Sequence, residues 1–255
     1  MERKIQQYGW VPDLPDARDY MYAAPQPVLT KLPPKFDLRP QCPPVIDQGA
    51  LGSCTANAIA NAHLFEQRKQ KAAQPFLPSR LFVYYNERVM EGTVSSDAGA
   101  MIRDGIKSIA KQGVCPEKQW PYTIAKFTRK PTHACYTEAK KHQAVSYQRL
   151  VQTLTQLKGC LASGYPFVFG FTVYESFESP EVTKTGVVPM PAASEQVLGG
   201  HAVLAVGYDD PTQRFIVMNS WGTSWGMHGF FTIPYAYLID TDLSADFWTV
   251  RLVEM

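Results

Sequence analysis

The pattern of hydrophobic and polar positions changes near the middle of the chain. After a glycine-rich turn, residues 55–71 contain no proline or glycine and are dominated by Ala, Leu, Glu, Gln and Lys. This composition predicts a helix with Ser53 or Cys54 at its N-terminal edge. Apolar residues at helical spacing predict further helices at 78–90, at about 100–111 and at 151–162. Apolar runs rich in β-formers predict strands at 165–174, 200–209 and 214–221.

Helices therefore dominate the first half and antiparallel strands the second half, which is typical of an α+β fold. Two such lobes are expected to leave a cleft between them. Residues 1 to about 34 follow neither pattern, because they are rich in proline and lack helical or strand periodicity. We interpret them as an extended arm. Its segment 12–20, PDLPDARDY, combines acidic, basic and aromatic groups, which suits docking on a protein surface.

Composition and charge exclude several classes of function. The 255 residues carry 25 basic and 23 acidic side chains, a net charge of +2, so no nucleic-acid or membrane partner is indicated. The longest apolar run, 165–174, is too short for a membrane-spanning helix. The N-terminal sequence MERKIQQYGW has no apolar signal region behind its basic residues. We expect a monomer, with a cytoplasmic location slightly favoured unless a leader was removed.

Five cysteines, an odd number, are scattered along the chain without a CxxC pair. This spacing argues against a structural zinc site, and we expect neither a metal nor an organic cofactor. One thiol must be free unless the protein is cross-linked to a partner, so the chemistry of a free cysteine is the first to consider.

Three residues combine into a candidate catalytic group. Cys54 lies where a glycine-rich turn meets a helix N-terminus, whose partial positive charge lowers the pKa of a thiol. His201 begins one predicted strand and Asn219 ends the next one. Pairing of these two strands in a hairpin would bring an amide beside an imidazole, as a nucleophile, base and orienting group require.

At these residues the chain resembles the papain-like cysteine peptidases, family C1. The nucleophile segment reads QGALGSCTA, the histidine strand GGHAVLAVGY and the asparagine block NSWGTSWGMHGFFTI. The segment LPPKFDLRP resembles the start of the mature domain, so the resemblance covers about residues 32–255. It implies a two-lobed papain-like fold with a mainly helical lobe, an antiparallel β-barrel-like lobe and the active-site cleft between them.

The resemblance also implies a role for each matching residue. Cys54 would attack the peptide carbonyl as a thiolate, and His201 would protonate the leaving amine. Asn219 would orient the imidazole, and Gln48 would donate its side-chain amide to the oxyanion. Trp221 would shield the bond between His201 and Asn219 from water.

Substrate contacts transfer less closely. Gly99, with Ala100 beside it, falls where the family places glycines whose backbone pairs with extended substrate. Gly200 stands where the family often has a polar or acidic residue that shapes the pocket for the second substrate residue. We therefore expect a neutral, roomy pocket that accepts apolar or aromatic side chains.

The chain also departs from the family. Leu51 replaces the cysteine that secreted members carry three residues before the nucleophile, so their usual disulfide framework is missing. A bridge among Cys42, Cys115, Cys135 and Cys160 stays open at this point. The arm is too short and too rich in proline for the family's helical inhibitory prosegment. It resembles the short N-terminal extensions of some bacterial members, which suggests a bacterial source.

Together these observations predict a proline-rich, propeptide-like extension at 1–31 and a peptidase domain at 32–255. The helical lobe would span about 45–145, and the β lobe about 146–255 together with 32–44. We predict a cysteine endopeptidase that cleaves polypeptides through an acyl-enzyme and is made as a precursor or as a self-restrained form, with the extension as an intramolecular inhibitor. The alternatives are an isopeptidase, aminopeptidase or amidase with the same triad, or a non-catalytic binding protein on a peptidase scaffold.

Overall fold

The computed structural model describes residues 8–254 of the chain. Residues 1–7 of the predicted arm, most of the segment inspected for a signal peptide, and Met255 lie outside the described residues. The α-helices are α1 (Gln26–Leu29), α2 (Cys54–Lys69), α3 (Arg80–Glu91), α4 (Ile102–Lys111), α5 (His133–Ala139), α6 (Leu154–Ala162), α7 (Pro180–Thr185) and α8 (Tyr235–Ile239), and short 3-10 turns span Arg39–Gln41, Ile124–Lys126 and Glu175–Glu178.

The strands are β1 (Trp10–Val11), β2 (Met21–Tyr22), β3 (Lys35–Asp37), β4 (Ala100–Met101), β5 (Ala144–Leu150), β6 (Phe167–Tyr174), β7 (Val197–Asp209), β8 (Arg214–Met218), β9 (Phe230–Pro234) and β10 (Ser244–Val253). All but β1 and β4 belong to one eight-stranded sheet with the order β2-β5-β10-β6-β7-β8-β9, and β3 pairs with β7. The α+β fold class is confirmed. The described strands form an open sheet instead of a closed barrel, because the order ends at β2 on one side and at β9 on the other.

The four predicted helices are present, and side-chain caps explain where two of them begin. The Ser79 side chain accepts a hydrogen bond from the backbone N–H of Phe82, so α3 begins at Arg80. Thr153 caps α6 in the same way, so that helix begins at Leu154. Helix α2 is buried at every position from Cys54 to Gln67. A helix buried on all sides is a central element of the core and holds its first residue in a fixed place.

The arm contains more regular structure than the sequence predicts. Strand β1 pairs in parallel with β4, and β2 extends the edge of the main sheet beside β5. Helix α1 follows Pro25, and its own proline lies in the first turn, where a missing N–H costs no hydrogen bond. The sequence predicts an extended arm, and the structure adds these short elements to it. The pairings join the arm to the rest of the fold.

Two further observations bear on the sequence expectations. All five cysteines are buried free thiols, so the core of the described chain is held by packing and hydrogen bonds instead of disulfides. Among the helices of residues 8–254, none has the length and apolar character that crossing a membrane requires.

Candidate active site

Cys54 is the first residue of α2 and is buried. The preceding loop presents the thiol at the helix N-terminus, where backbone N–H groups have no partner within the helix. The backbones of Ala202, Gly9 and Thr55 lie close enough to the sulfur for their N–H groups to favour the thiolate. Ala202 belongs to β7, Thr55 to α2 and Gly9 to the arm, so three separate parts of the chain meet at this thiol.

His201 and Asn219 lie on the neighbouring strand and strand end that the sequence predicts. Strands β7 and β8 pair antiparallel, and Asn219 directly follows β8. His201 Nε2 lies 2.8 Å from Asn219 Oδ1. The same oxygen accepts the backbone N–H of Ser220 at 2.8 Å, which identifies it as an acceptor. Nε2 therefore carries the proton, and Nδ1 is the nitrogen with a free lone pair.

Aromatic rings enclose this hydrogen bond. The ring centroids of Trp221 and His201 are 5.1 Å apart at an interplanar angle of 34°. Tyr8 of the arm approaches the His201 ring edge-on at 6.0 Å, and Phe177 contacts both His201 and Trp221. All four side chains are buried. Water is thus kept from competing for the bond between His201 and Asn219.

Gln48 lies beside the same group and is fully buried. Its Oε1 accepts the Ser220 hydroxyl at 2.6 Å, and its Nε2 donates to the Leu51 carbonyl at 2.9 Å. These two bonds fix which end of the amide is the nitrogen, and they leave one N–H for another acceptor. The Gln48 backbone N–H also donates to the Ser220 carbonyl at 2.8 Å. The loop before α2 is thereby tied to the loop that carries Asn219.

Two supporting groups were missed by the sequence analysis. Tyr122 donates to the Gln48 carbonyl at 2.8 Å, and its hydroxyl lies 2.6 Å from Ser53 Oγ. The Arg80 guanidinium lies 3.8 Å from the centroid of the Tyr122 ring and donates to Asn57 Oδ1. An arginine at the start of a helix does not indicate its partners in the sequence, and neither does a tyrosine in a loop.

The second support holds the glycine-rich turn before Cys54. The Asp97 carboxylate accepts the Gly52 backbone N–H at 3.0 Å and also accepts the Tyr84 hydroxyl. The Tyr84 hydroxyl in turn accepts the Gly99 backbone N–H at 3.2 Å. The turn before the nucleophile and the predicted substrate-binding glycine are therefore fixed by one shared pair of side chains.

The predicted substrate-binding residues all contact the arm. The Ala100 backbone N–H donates to the Gly9 carbonyl at 2.8 Å. Gly99 has a φ of +75°, and a side chain there would overlap the Gly9 carbonyl. At Gly200 a Cβ would lie 2.6 Å from the Trp10 ring. The positions at which we expect substrate are the positions that residues 8–11 occupy.

The pocket that holds Trp10 has a polar base. The Trp10 ring packs against Gly170 and Gly200, and its Nε1–H donates to Asp246 Oδ2 at 3.1 Å. Arg149 pairs with the other oxygen of Asp246 at 3.1 Å. Asp246 has a φ of 60°, within an irregular part of β10. The pocket is therefore polar at its base and holds an aromatic side chain, and the expected preference for apolar or aromatic substrate side chains stays a prediction.

Burial opposes the charged forms of Cys54 and His201 while the arm is in place. Burial raises the pKa of the Cys54 thiol to about 12, and the N–H groups of Ala202 and Gly9 oppose this increase only in part. Burial likewise lowers the pKa of His201 to about 4, although Asn219 opposes the decrease. The exclusion of water therefore acts against the helix N-terminus, which favours the thiolate that the sequence predicts.

A metal site is not formed by this arrangement. Over residues 8–254, no group of three or more His, Cys, Asp or Glu side chains is placed to hold a metal ion. His201 Nδ1 is buried and has no hydrogen-bond partner among the same residues. A thiol, an imidazole, an orienting amide and a second amide donor together provide what nucleophilic attack on a carbonyl needs.

Comparisons with known proteins place this geometry in context. Residues 32–242 match the model of the papain family cysteine protease. An uncharacterised peptidase C1-like protein of Acanthamoeba polyphaga mimivirus is 46% identical over 270 aligned residues, which cover 96% of this chain and 87% of that protein. The crystal structure of xylellain, a cysteine protease from Xylella fastidiosa, superposes with a TM-score of 0.93 at 45% identity and covers 98% of both chains. Digestive procathepsin L 3 from the larval midgut of Tenebrio molitor shares the fold at 18% identity, with a TM-score of 0.74 over 92% of this chain and 74% of that one.

Proposed function

Since the chain belongs to the papain family of cysteine proteases, we propose that it is an endopeptidase with Cys54 as nucleophile and His201 as acid and base. Membership of this family makes it a cysteine-type peptidase with a papain-like fold that acts on polypeptides. The observation that carries the assignment of residues is the shielded bond between His201 Nε2 and Asn219 Oδ1 at 2.8 Å, beside a cysteine at a helix N-terminus.

The proposed reaction has two halves. The Cys54 thiol gives its proton to His201 Nδ1, and the sulfur attacks the peptide carbonyl carbon and forms an S–C bond. His201 then returns the proton to the nitrogen of the leaving amine as the C–N bond breaks, which leaves a thioester on Cys54. A water molecule next gives a proton to His201 and attacks the thioester. The acid product leaves when the C–S bond breaks and Cys54 regains its proton.

Gln48 would stabilise the charge on the carbonyl oxygen, and Asn219 would hold the imidazole in one tautomer. The remaining N–H of the Gln48 amide, together with the backbone N–H of Cys54, would donate to the carbonyl oxygen as negative charge develops on it. Loss of one such donor costs about 10²- to 10³-fold in rate in comparable sites. Asn219 holds Nε2 protonated, so the proton exchange takes place at Nδ1.

We propose further that the arm restrains this site. Gly9 lies at the Cys54 sulfur, and Tyr8 lies against the ring of His201. His201 delivers a proton to the leaving amine, so the C-terminal half of a substrate must lie beside it. The arm has its N-terminal residue on that side and therefore runs opposite to a substrate. A reversed chain fills the cleft without presenting its carbonyls for attack.

A peptidyl epoxide tests the assignment of the nucleophile. We expect intact mass and peptide mapping to show a single adduct on Cys54 of the full chain, because we propose that His201 activates this thiol. Cys54→Ala should give neither adduct nor peptide hydrolysis, whereas Cys42→Ala, a matched change of another buried thiol, should retain both. An adduct on another cysteine, or hydrolysis by Cys54→Ala, would contradict the proposal.

A further inference from the structure

The arm carries an aspartate at every third position after its contact with the thiol. Asp13, Asp16 and Asp19 are separated by two residues each. The side chains of Asp13 and Asp19 are covered and that of Asp16 is 14% exposed, whereas Leu14 between them has 67% of its surface exposed. The arm therefore turns its acidic side chains toward the body of the protein and its apolar side chain toward solvent.

Three cationic side chains outside the arm form ion pairs with these aspartates. Arg103 on α4 pairs with both oxygens of Asp19, the shortest contact being 2.7 Å, although only 6% of its side chain is exposed. Lys107, one turn further along α4, reaches Asp16 at 3.1 Å. Arg149 on β5 reaches Asp19 at 3.2 Å. We call the surface formed by Arg103, Lys107 and Arg149 the basic groove.

The basic groove has few acidic partners of its own. Over the described part of the chain, the ion pairs of Arg103 and Lys107 are all with the arm. Arg149 pairs with Asp246 of the body as well as with Asp19. Asp104 also faces the two cations of α4, although it forms no ion pair with them among the described residues, and burial raises its pKa. If the arm departs, the groove is left with unpaired positive charge next to the cleft.

The path of the arm shows where the groove lies relative to the scissile bond. Gly9 is at the Cys54 sulfur, and Asp13 follows four residues later. The arm leads from His201, the side of the leaving amine, past the thiol and onto α4 and β5. A substrate would therefore place residues N-terminal to its scissile bond over the basic groove, starting about four positions away.

We propose that the basic groove is a binding site for an acidic segment of polypeptide substrates, N-terminal to the scissile bond, and that the arm occupies it as a built-in competitor. Arginine is suited to this role because its planar guanidinium pairs with both oxygens of a carboxylate, as Arg103 does with Asp19. The proposal rests on the proposed endopeptidase function and adds a preference for acidic substrates to it.

Two peptide substrates test the proposal with a full-length variant in which the arm is bound less tightly. The background carries Asp16→Asn and Asp19→Asn, which removes the charges that pair with Arg103 and Lys107. Two internally quenched peptides have the same sequence around the scissile bond. On its N-terminal side they carry either three Asp or three Asn, one at every third position, starting at the fourth residue from the bond. We expect kcat/KM for the Asp peptide to exceed that for the Asn peptide by at least about 10-fold, mainly through KM, and the ratio to approach one in about 0.5 M salt.

Charge reversal supplies the matched control. In the same background, Lys107→Glu should reduce the ratio of kcat/KM for the Asp peptide to that for the Asn peptide to below about 3. A third peptide with Lys in place of Asp should be cleaved faster by this variant than by the background protein. Lys111→Glu makes the same change one turn further along α4, at an exposed side chain outside the groove, and should leave the ratio unchanged. Equal effects of the two substitutions would overturn the proposal, because they would indicate general charge attraction.

A binding measurement keeps the groove testable if hydrolysis is absent. The same two peptides, labelled with a fluorophore, are titrated with the Cys54→Ala form of the arm-loosened chain and followed by anisotropy. Tighter binding of the Asp peptide by about 10-fold supports the groove even if the proposed catalysis fails. Equal binding of the Asp and Asn peptides overturns the inference, whether or not the protein cleaves them.

Discussion

The two ring nitrogens of His201 have opposite surroundings. Nε2 donates to Asn219 in a site enclosed by Trp221, whereas Nδ1 has no hydrogen-bond partner among residues 8–254. A residue that accepts and then donates a proton needs this asymmetry. One ring nitrogen must stay protonated so that the lone pair of the other is available for the reaction. The enclosing rings maintain it, since water at Nε2 would compete for the Asn219 oxygen.

The buried acid Glu87 contacts the residue that follows Cys54. Glu87 on α3 is fully buried, and its Oε2 accepts the hydroxyl of Thr55, the residue after Cys54, at 3.0 Å. Burial, reinforced by the neighbouring Glu91, raises the pKa of Glu87 well above its ordinary value. A negative charge on Glu87 would raise the pKa of the Cys54 thiol. A neutral Glu87 would therefore favour thiolate formation.

We predict that Glu87→Gln, which replaces the protonated acid by a neutral group of the same shape, changes kcat/KM by less than about 3-fold. The pH dependence of iodoacetamide alkylation at Cys54 should also be unchanged. Glu87→Ala is the control for packing, because it leaves a cavity and should lower the free energy of unfolding by about 2–4 kcal/mol. A fall of a full unit in the thiol pKa of Glu87→Gln would mean that Glu87 is ionised in the native protein.

At the scale of the elements, local sequence specified some structures and tertiary pairing specified others. Helix α2 follows from its composition, and strands β6 to β8 follow from their apolar runs rich in β-formers. Strands β1 and β2 have two residues each and exist only because β4 and β5 pair with them. No sequence window of that length carries a strand signal. The middle of β10 is interrupted where Asp246 adopts a positive φ, which breaks the alternation that would have revealed the strand.

The docked arm is also an element whose attachment depends on protonation. Asp13 accepts hydrogen bonds from the Arg103 backbone N–H and from Trp248 Nε1, in a buried site close to Asp246. Burial, and then the charge of Asp246, raise the pKa of Asp13 to about 6. Glu91 faces the same site from α3, and Arg149 faces it from β5. The docked state therefore binds a proton more tightly than a released arm, whose carboxyl has its ordinary pKa near 4.

The sign of the effect follows from linkage. A group whose pKa is raised by docking stabilises docking fully below its free pKa, and the effect is lost as the pH rises through about 6. We predict that protection of the Ala100 amide, which donates to Gly9, falls by about 10- to 100-fold between pH 4 and pH 7 after correction for intrinsic exchange. Hydrogen exchange followed by mass spectrometry measures this. Asp13→Asn, a neutral mimic, should show a flatter profile, and an unchanged profile would assign the dependence to another group.

For the whole molecule, the site depends on contacts between distant parts of the chain. The sequence motifs predicted Cys54, His201, Asn219 and Gln48, because each lies in a distinctive local sequence. The ties that hold these residues together could not be predicted in the same way. Gln48 is bonded to Ser220 across 172 positions, and neither residue's neighbours indicate the other. The arm is a third distant segment at the site, because Gly9 lies next to the thiol of Cys54, which belongs to a later part of the chain.

The last prediction concerns the balance between the docked arm and the open cleft. Trp10 is the largest side chain that β1 places in the cleft, where it packs against Gly170 and Gly200 and bonds to Asp246. Removal of a buried tryptophan side chain costs about 3–5 kcal/mol, and here much of that loss falls on docking. Trp10→Ala in the full chain should therefore increase the rate of epoxide labelling at Cys54 by at least about 100-fold at pH 7. Leu14→Ala, a control at the exposed arm residue, should label at the rate of the unmodified chain. If Trp10→Ala loses protection at the Ala100 amide but labels no faster, the arm covers the cleft without restraining the enzyme.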